Sequence, residues 1–305
     1  MAKMLRSMLY VPANSWRMVV NAPAEGADAI ILDIEDGCPM AEKETGRVFA
    51  RDSALLLKEQ GVELFVRVNS LDTGLTTTDL EYVVTPGLDG IMLAKTETAE
   101  DIVAVDKLIS AQEKAKGMPE RSVSVVALIE TPKGIVNMNS LIAASPRVIA
   151  VAFGAGDYSR EMGAGMGVSK ISPDDYFPMT LYARSAMAIA ARAAGIQAID
   201  TPFFGMVIDL EGLARETMRV KLLGFSGKQL THPRHCAPVN ATFAPAPDEI
   251  NFANTVVTAY EAAQKQGLGA TTVGGKMIDY GSYKRSVSLL ALAETVAARE
   301  AKRSA

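Results

Sequence analysis

Five short apolar runs in the sequence end in groups that do chemistry. Ala29–Leu32 runs into Asp33-Ile-Glu35-Asp36-Gly37, and Val66 leads to Arg67-Val-Asn69-Ser70. Gly90–Ala94 closes on Lys95, Ile129 is followed by Glu130-Thr131, and Phe153 by Gly-Ala-Gly-Asp157. A carboxylate at the end of one strand reads equally well as a cap for the next helix. Five such endings together point instead to one shared pocket. Carboxylates that converge repel one another and need a cation or a proton. Mg²⁺ answers this, with Mn²⁺ as a substitute, because it accepts one or two carboxylates and fills its octahedron with water and substrate oxygens. Glu130 and Asp157 are the expected metal ligands, and Glu35 and Asp36 would hold metal-bound waters. Arg67 presents a planar fork to a substrate carboxylate. Lys95 and Arg6 are candidates for binding substrate or phosphate groups, with an ion pair inside the fold as the competing reading. The set describes a site for a small oxo acid bound through carboxylate and carbonyl oxygens.

The elements that must position these groups are legible in the hydrophobic pattern. Strands are expected at Met8–Val11, Ala29–Glu35, Leu64–Val68, Gly90–Lys95, Ser122–Glu130, Val148–Gly154, Ala198–Phe203 and Gly227–His232. Helical patterns fall at 15–25, 40–60, 98–116, 173–194 and 209–223, the fourth being an Ala-rich run closed by Gly195 as a C-cap. The strands are nearly continuous apolar runs, as strands covered on both faces by βαβ crossovers are. Eight alternations over this length predict an α/β fold, a (β/α)8 TIM barrel over residues 1–235, with a doubly wound open sheet as the alternative. In such a barrel the strand C-termini form the reactive face. Residues 236–305 then form a C-terminal helical extension: four prolines follow His232, helices are expected near 248–266 and 283–299, and Gly267–Lys276 is expected to be a flexible link.

Composition excludes several classes of function. The 305 residues carry 31 Lys plus Arg against 35 Asp plus Glu, a formal net charge of −4, which offers nothing to nucleic acid. Nearly half the residues are apolar, enough for a large core. Cys38 and Cys236 lie far apart, without the spacing of a disulfide framework or a thiolate zinc site. The N-terminus shows no signal-peptide core and no run is long enough to span a membrane, so a cytoplasmic protein is expected. Gly163-Ala-Gly-Met-Gly167 lacks the spacing of a dinucleotide loop. His232 reads equally as a residue reaching the mouth and as a structural hydrogen-bonding group. The fifteen methionines read as fillers of irregular core gaps.

An ordered set of seven motifs adds a resemblance. Leu5-Arg-Ser-Met-Leu-Tyr-Val-Pro-Ala13, Leu32-Asp-Ile-Glu-Asp36, Val66-Arg-Val-Asn69, Ala127-Leu-Ile-Glu-Thr131, Phe153-Gly-Ala-Gly-Asp157, Thr231-His-Pro233 and Gly275-Lys-Met-Ile-Asp279 run through the chain in this order. Together they resemble the citrate lyase β-subunit-like family of the HpcH/HpaI aldolase superfamily, which includes malyl-CoA and citramalyl-CoA lyases. Thr231 is a small departure, since the family more often has Ile-His-Pro. The resemblance implies a Mg²⁺-dependent TIM barrel that cleaves a 3-hydroxyacyl-CoA to acetyl-CoA and a 2-oxo acid, pyruvate or glyoxylate. It implies Mg²⁺ on Glu130 and Asp157, the oxo acid on Arg67, and Asp279 acting at the site of a neighbouring subunit in a trimer or a multiple of it. Arg67, Asp279 and Glu35 are thus the expected catalytic set, with the base for the hydroxyl left open between water and a carboxylate. Two other readings stand beside this one: the β subunit of a citrate lyase complex acting on a citryl-acyl carrier protein thioester, and a non-catalytic metal-dependent CoA or oxo-acid binding protein.

Overall fold

The computed structural model describes residues 3–163 and 173–304. Residues 164–167 of the glycine run read against a dinucleotide loop lie outside them. The chain divides into two compact units, Met1–Asn240 and Ala241–Ala305.

The first unit is a closed barrel of eight parallel strands in sequential order: β1 (Ser7–Pro12), β2 (Ala29–Asp33), β3 (Glu63–Val68), β4 (Gly90–Leu93), β5 (Ser124–Ile129), β6 (Val148–Phe153), β7 (Gln197–Asp200) and β8 (Gly227–Leu230), with β8 pairing back onto β1. The open-sheet alternative is therefore set aside. The crossovers carry α1 (Trp16–Asn21), α2 (Lys43–Glu59), α3 (Thr76–Val83), α4 (Ala99–Ala115), α5 (Pro132–Ala143), α6 (Ala155–Glu161), α7 (Pro173–Ala194) and α8 (Leu210–Leu223). Helix α7 ends where Gly195 takes a left-handed φ of 71°, as its sequence predicts.

Alternation along the strands decides what enters the barrel. Ala29 and Ile31 of β2, Phe65 of β3, Met92 of β4, Val126 and Leu128 of β5 and Ala150 and Ala152 of β6 pack into one fully buried cluster. Carrying the same parity two residues further reaches Asp33, Arg67, Glu130 and Gly154 at the strand C-termini. The apolar filling of the barrel thus sets the direction of its polar rim.

Several elements differ from expectation, β2 and β4 among them, which stop at Asp33 and Leu93. The eighth strand stops at Leu230, and His232 begins a turn of 3₁₀-helix, its Nδ1 accepting the Arg234 N–H at 3.1 Å. Asp157 lies in the first turn of α6 and not at a strand end. Helices α3 and α5 stand where the periodicity predicts nothing.

After α9 (Cys236–Phe243), the second unit pairs α10 (Pro247–Lys265) with α11 (Tyr280–Ser304). The link between them, expected to be flexible, instead forms an antiparallel hairpin of β9 (Thr271–Val273) and β10 (Lys276–Ile278). Gly274 and Gly275, at φ 56° and 76°, make its two-residue turn, which demands positive φ at both positions. Val256, Tyr260 and Ile278 form this unit's own small core, with Val273 and Tyr283 against it. Among the described residues no helix is long and apolar enough to cross a membrane.

Candidate active site

At the C-terminal end of the barrel lies a cavity of about 420 Å³ lined by Tyr10, Asp33, Asp36, Arg67, Glu130, Gly154, Asp157 and Gln229, among others. Its chemistry divides into two halves. The first is an ion-pair cluster on β2, β3 and β4. Arg67 Nε and Nη2 donate to the two oxygens of Asp33 at 2.8 and 2.6 Å, and Nη1 lies 3.1 Å from Glu35 Oε2. Lys95 Nζ completes the cluster at 3.0 Å from Glu35 Oε1. Below it, the guanidinium carbon of Arg67 stands 4.8 Å from the centre of the Tyr10 ring, and the Tyr10 hydroxyl donates to Gln229 Oε1 at 2.7 Å. Burial pushes that hydroxyl far above the usual phenol range, so it is a neutral donor.

The loop after β2 is shaped by the same carboxylates. Asp33 accepts the N–H groups of Glu35 and Gly37, each at 2.9 Å, and Glu35 Oε2 accepts the N–H of Asp36. Lys43, buried at the start of α2, donates to the Ile34 and Glu35 carbonyls and to Asn69 Oδ1. Glu35 thus has both oxygens engaged, while the exposed Asp36 lines the cavity.

The second half is the pair Glu130 and Asp157. Glu130 is only 4 % exposed. Its Oε1 accepts the backbone N–H of Lys95 at 2.8 Å, and Lys95 reaches this geometry in the left-handed region, at φ 48°. Burial first, and then the nearby negative charge of Asp157, push the Glu130 carboxyl up to about 8, against the partial relief of the Lys95 N–H. Asp157 pairs with the exposed Arg160 one turn on. Among these groups, Asp33, Glu35, Asp36, Glu130 and Asp157 outnumber Arg67, Lys95, Arg160 and Lys43 by one charge when all are ionised. A divalent cation held by Glu130 and Asp157 would offset that excess. Among the described residues no group of three or more His, Cys, Asp or Glu gathers into a metal cage.

Gly154 makes room for this pair. A Cβ there would lie 2.4 Å from the Glu130 Cβ and 2.6 Å from its Oε2. Gly154→Ala should therefore cost about 1–3 kcal/mol of stability through overpacking, and weaken Mg²⁺ binding by about tenfold or more. Thermal melts and a calorimetric Mg²⁺ titration check the two effects separately.

Of the residues named from the sequence, the barrel brings Glu35, Asp36, Arg67, Lys95, Glu130 and Asp157 to one mouth. Arg6 is a correction. It precedes β1, at the opposite end of the barrel, and is buried with its Nε and Nη2 on the two Asp28 oxygens at 2.8 and 3.1 Å. It is the internal ion pair of the competing reading and is not a substrate ligand. Asp279 belongs to the second unit, where it is exposed and its Oδ1 accepts the Ser282 N–H at 2.8 Å at the start of α11. The Ser282 N–H and hydroxyl hold its carboxyl below the usual carboxylate range. The sequence reading gave no role to Asp33, which carries Arg67, or to Tyr10 and Gln229. Asp33 sits directly across from Arg67 in the β2–β3 register, and that opposite-charge pairing with the inward parity of Ile31 was the signal for it.

Residues 6–233, nearly the whole barrel unit, match the family model described as HpcH/HpaI aldolase/citrate lyase. The chain belongs to this family. Within the HpcH/HpaI family it is 38 % identical over 291 residues to the citrate lyase subunit beta of Leuconostoc mesenteroides subsp. cremoris, covering 95 % of this chain and 94 % of that one. It is 31 % identical over 309 residues to the L-malyl-CoA/beta-methylmalyl-CoA lyase of Cereibacter sphaeroides, covering 96 % of each. Among solved structures it resembles the protein CitE from Mycobacterium tuberculosis in complex with magnesium, acetoacetate and coenzyme A. That structure is 27 % identical, with a TM-score of 0.74 over 95 % of this chain and 98 % of the other.

Proposed function

We propose that the protein is a Mg²⁺-dependent carbon–carbon lyase that cleaves a 3-hydroxyacyl-CoA of the malyl or citramalyl type to acetyl-CoA and glyoxylate or pyruvate. The observation that carries this reading is a buried Glu130 beside the negative charge of Asp157, its carboxyl pushed up to about 8 and favoured as a carboxylate by a cation, next to an arginine able to take a substrate carboxylate. Glu130 and Asp157 would hold the metal and Asp36 its waters, while Glu35, expected from the sequence to share that task, has its oxygens on Arg67, Lys95 and the Asp36 N–H and would act by orienting Arg67. Bound there, Mg²⁺ supplies Lewis acidity for the oxygen on the carbon whose bond breaks.

The chain's own groups supply the rest. Arg67, stiffened by Asp33 and Glu35, keeps two N–H directions for the substrate carboxylate and fixes the reacting carbon. The hydroxyl proton leaves to water or a carboxylate, the C–C bond breaks with its electron pair going to the thioester-derived carbon, and that carbon takes up a proton relayed through Asp279, which is itself ionised at rest. Lys95, one-third exposed at the rim, offers its ammonium to the thioester end of the substrate. Asp279 does this work at the mouth of a neighbouring copy in a homo-oligomer, a trimer or a multiple of it. Chains carrying Asp157→Ala and chains carrying Asp279→Ala, inactive separately, should regain activity when unfolded and reassembled together. Continued inactivity of the mixture would place Asp279 outside the shared site.

The deciding experiment incubates the protein and Mg²⁺ with malyl-, β-methylmalyl-, citramalyl- and citryl-CoA and identifies the products directly. Release of acetyl-CoA with glyoxylate or pyruvate is expected; no turnover of any of the four, with Mg²⁺ or Mn²⁺, would overturn the reading. A second reading rests on the greater identity to citrate lyase subunit beta, 38 % against 31 %. In that case the substrate is a citryl thioester on an acyl carrier protein, the 2-oxo acid formed is oxaloacetate, and the protein co-purifies with carrier and transferase subunits.

The raised Glu130 carboxyl gives a pH signature. Its ordinary value is 4.5 and the folded protein moves it to about 8, so the fold retains a proton that the unfolded chain releases in this window. Metal-free protein should therefore lose stability as pH rises from about 4.5 to about 8 and lose no more from this group beyond it. Mg²⁺ removes that penalty. The gap between melting temperatures in Mg²⁺ and in EDTA should widen with pH and level off above about 8.

A further inference from the structure

We propose that Thr201 and Tyr176 are positioning residues for Asp157, holding the turn that carries it by gripping both polar groups of a single peptide unit's residue, Ala155. The inference rests on the reading of Asp157 as a metal ligand.

Asp157 lies in the first turn of a seven-residue helix, and among the described residues its own side chain is tied to an exposed arginine alone. Such a pair constrains little in water. The residues before it are Gly154, Ala155 and Gly156. Two glycines around one alanine give the backbone wide freedom, which a metal ligand with a defined direction cannot have.

The freedom is removed from outside the helix. The Ala155 N–H donates to Thr201 Oγ1 at 3.3 Å, and the Ala155 carbonyl accepts the Tyr176 hydroxyl at 3.0 Å. One residue earlier, the Gly154 N–H donates to the Ile129 carbonyl at 2.9 Å, and the Phe153 carbonyl accepts Gln229 Nε2, also at 2.9 Å. Thr201 and Tyr176 are the two side chains in this set that act on the turn itself.

Both are anchored where they cannot yield. Tyr176 is 3 % exposed, its ring edge-on to Phe204 at 5.4 Å between centres, with the Arg184 guanidinium 5.9 Å from it. Thr201 directly follows Asp200, a fully buried carboxylate bound by Arg184 Nε at 2.8 Å and Lys228 Nζ at 2.6 Å. The buried ion network is thus a foundation under the clamp. A phenol so deeply buried could have been a phenylalanine. Its hydroxyl donates to the main chain two residues before Asp157 and accepts the Ser159 hydroxyl of the same short helix at 3.4 Å.

The test is Mn²⁺ and Mg²⁺ binding to the full-length protein, followed by loss of the free Mn²⁺ paramagnetic resonance signal and by calorimetry. Tyr176→Phe keeps the ring and removes the hydroxyl; Thr201→Val keeps the shape and removes the acceptor; Thr201→Ser restores it. The first two should weaken metal binding by about tenfold each, with kcat recovering at saturating metal, and Thr201→Ser should bind as the parent does. Loss of melting temperature with unchanged metal affinity in both would overturn the inference, since that is what a purely structural bond gives. Asp157→Ala is the reference. If it abolishes metal binding while Tyr176→Phe and Thr201→Val bind normally, the clamp is wrong and the metal site stands; if it binds metal normally, the metal reading falls and the clamp with it.

Discussion

Glu130→Gln should abolish metal binding and most of the activity while making the metal-free protein more stable. The glutamine is isosteric, and its side-chain oxygen still accepts the Lys95 N–H, so the local geometry is preserved. What disappears is a charge held against burial and against Asp157. Without it the cation would lose one of the two protein ligands proposed for it. A metal acting as a Lewis acid is worth several kcal/mol at the transition state, so kcat/KM should fall by about a thousandfold or more. The stability change has the opposite sign. At pH 9 the wild-type carboxyl is ionised in a site that resists it, and removing it should raise the melting temperature in EDTA; at pH 5, where it is protonated, the two proteins should melt alike. A gain in stability with loss of function marks a group kept for chemistry. A melting temperature that falls at pH 9 would show that Glu130 is a structural partner.

Arg67→Ala should be inactive and also poorly folded, for the reverse reason. Asp33 and Glu35 are nearly buried, and Arg67 is the cation that answers both. Removing it leaves two carboxylates facing each other with only Lys95 on one of them. Breaking a buried pair from one side costs about 3–5 kcal/mol. Arg67→Lys is the informative variant. It restores a positive charge but cannot span both Asp33 oxygens while reaching Glu35, because an ammonium lacks the planar fork. Folding should largely recover, whereas activity should remain at least about a hundredfold down through loss of the oriented carboxylate contact. Substrate titrations and melts on the two variants separate these effects, and full activity in Arg67→Lys would remove Arg67 from substrate orientation.

Much of this barrel is legible in the sequence because apolar strands buried on both faces announce themselves. All eight strands form where continuous runs such as Ala29–Leu32 and Val148–Phe153 predict them. The helices that escape notice lack that kind of signal. Helix α3 starts on three consecutive threonines, poor helix formers, and is held by tertiary packing of Leu80 and Val83. Helix α5 hides behind a glycine, although Thr131 and Pro132 form a proper N-cap and first turn. Its cap was read only as a strand ending. For the site, rim residues of inward parity were recoverable from periodicity, and Arg6 was misplaced because a charge just before a strand looks like one just after it. Only the direction of the barrel distinguishes the two. The hairpin at Gly274–Gly275 was missed for a simpler reason: three-residue strands are too short to show alternation.

The left-handed backbone at Lys95 bears on anyone who would retool this enzyme for another substrate. The atom that aims Glu130 is a main-chain nitrogen, which no substitution deletes except proline, yet its direction depends on a conformation that most side chains resist. A saturation library at position 95 would then score the wrong thing. Most replacements would fail by tilting a peptide plane, and their failure would be credited to the missing ammonium. Glycine and asparagine accept this conformation readily. Comparing these two with alanine separates what the Lys95 side chain contributes from what its backbone contributes, and any redesign of the pocket should start from that small alphabet.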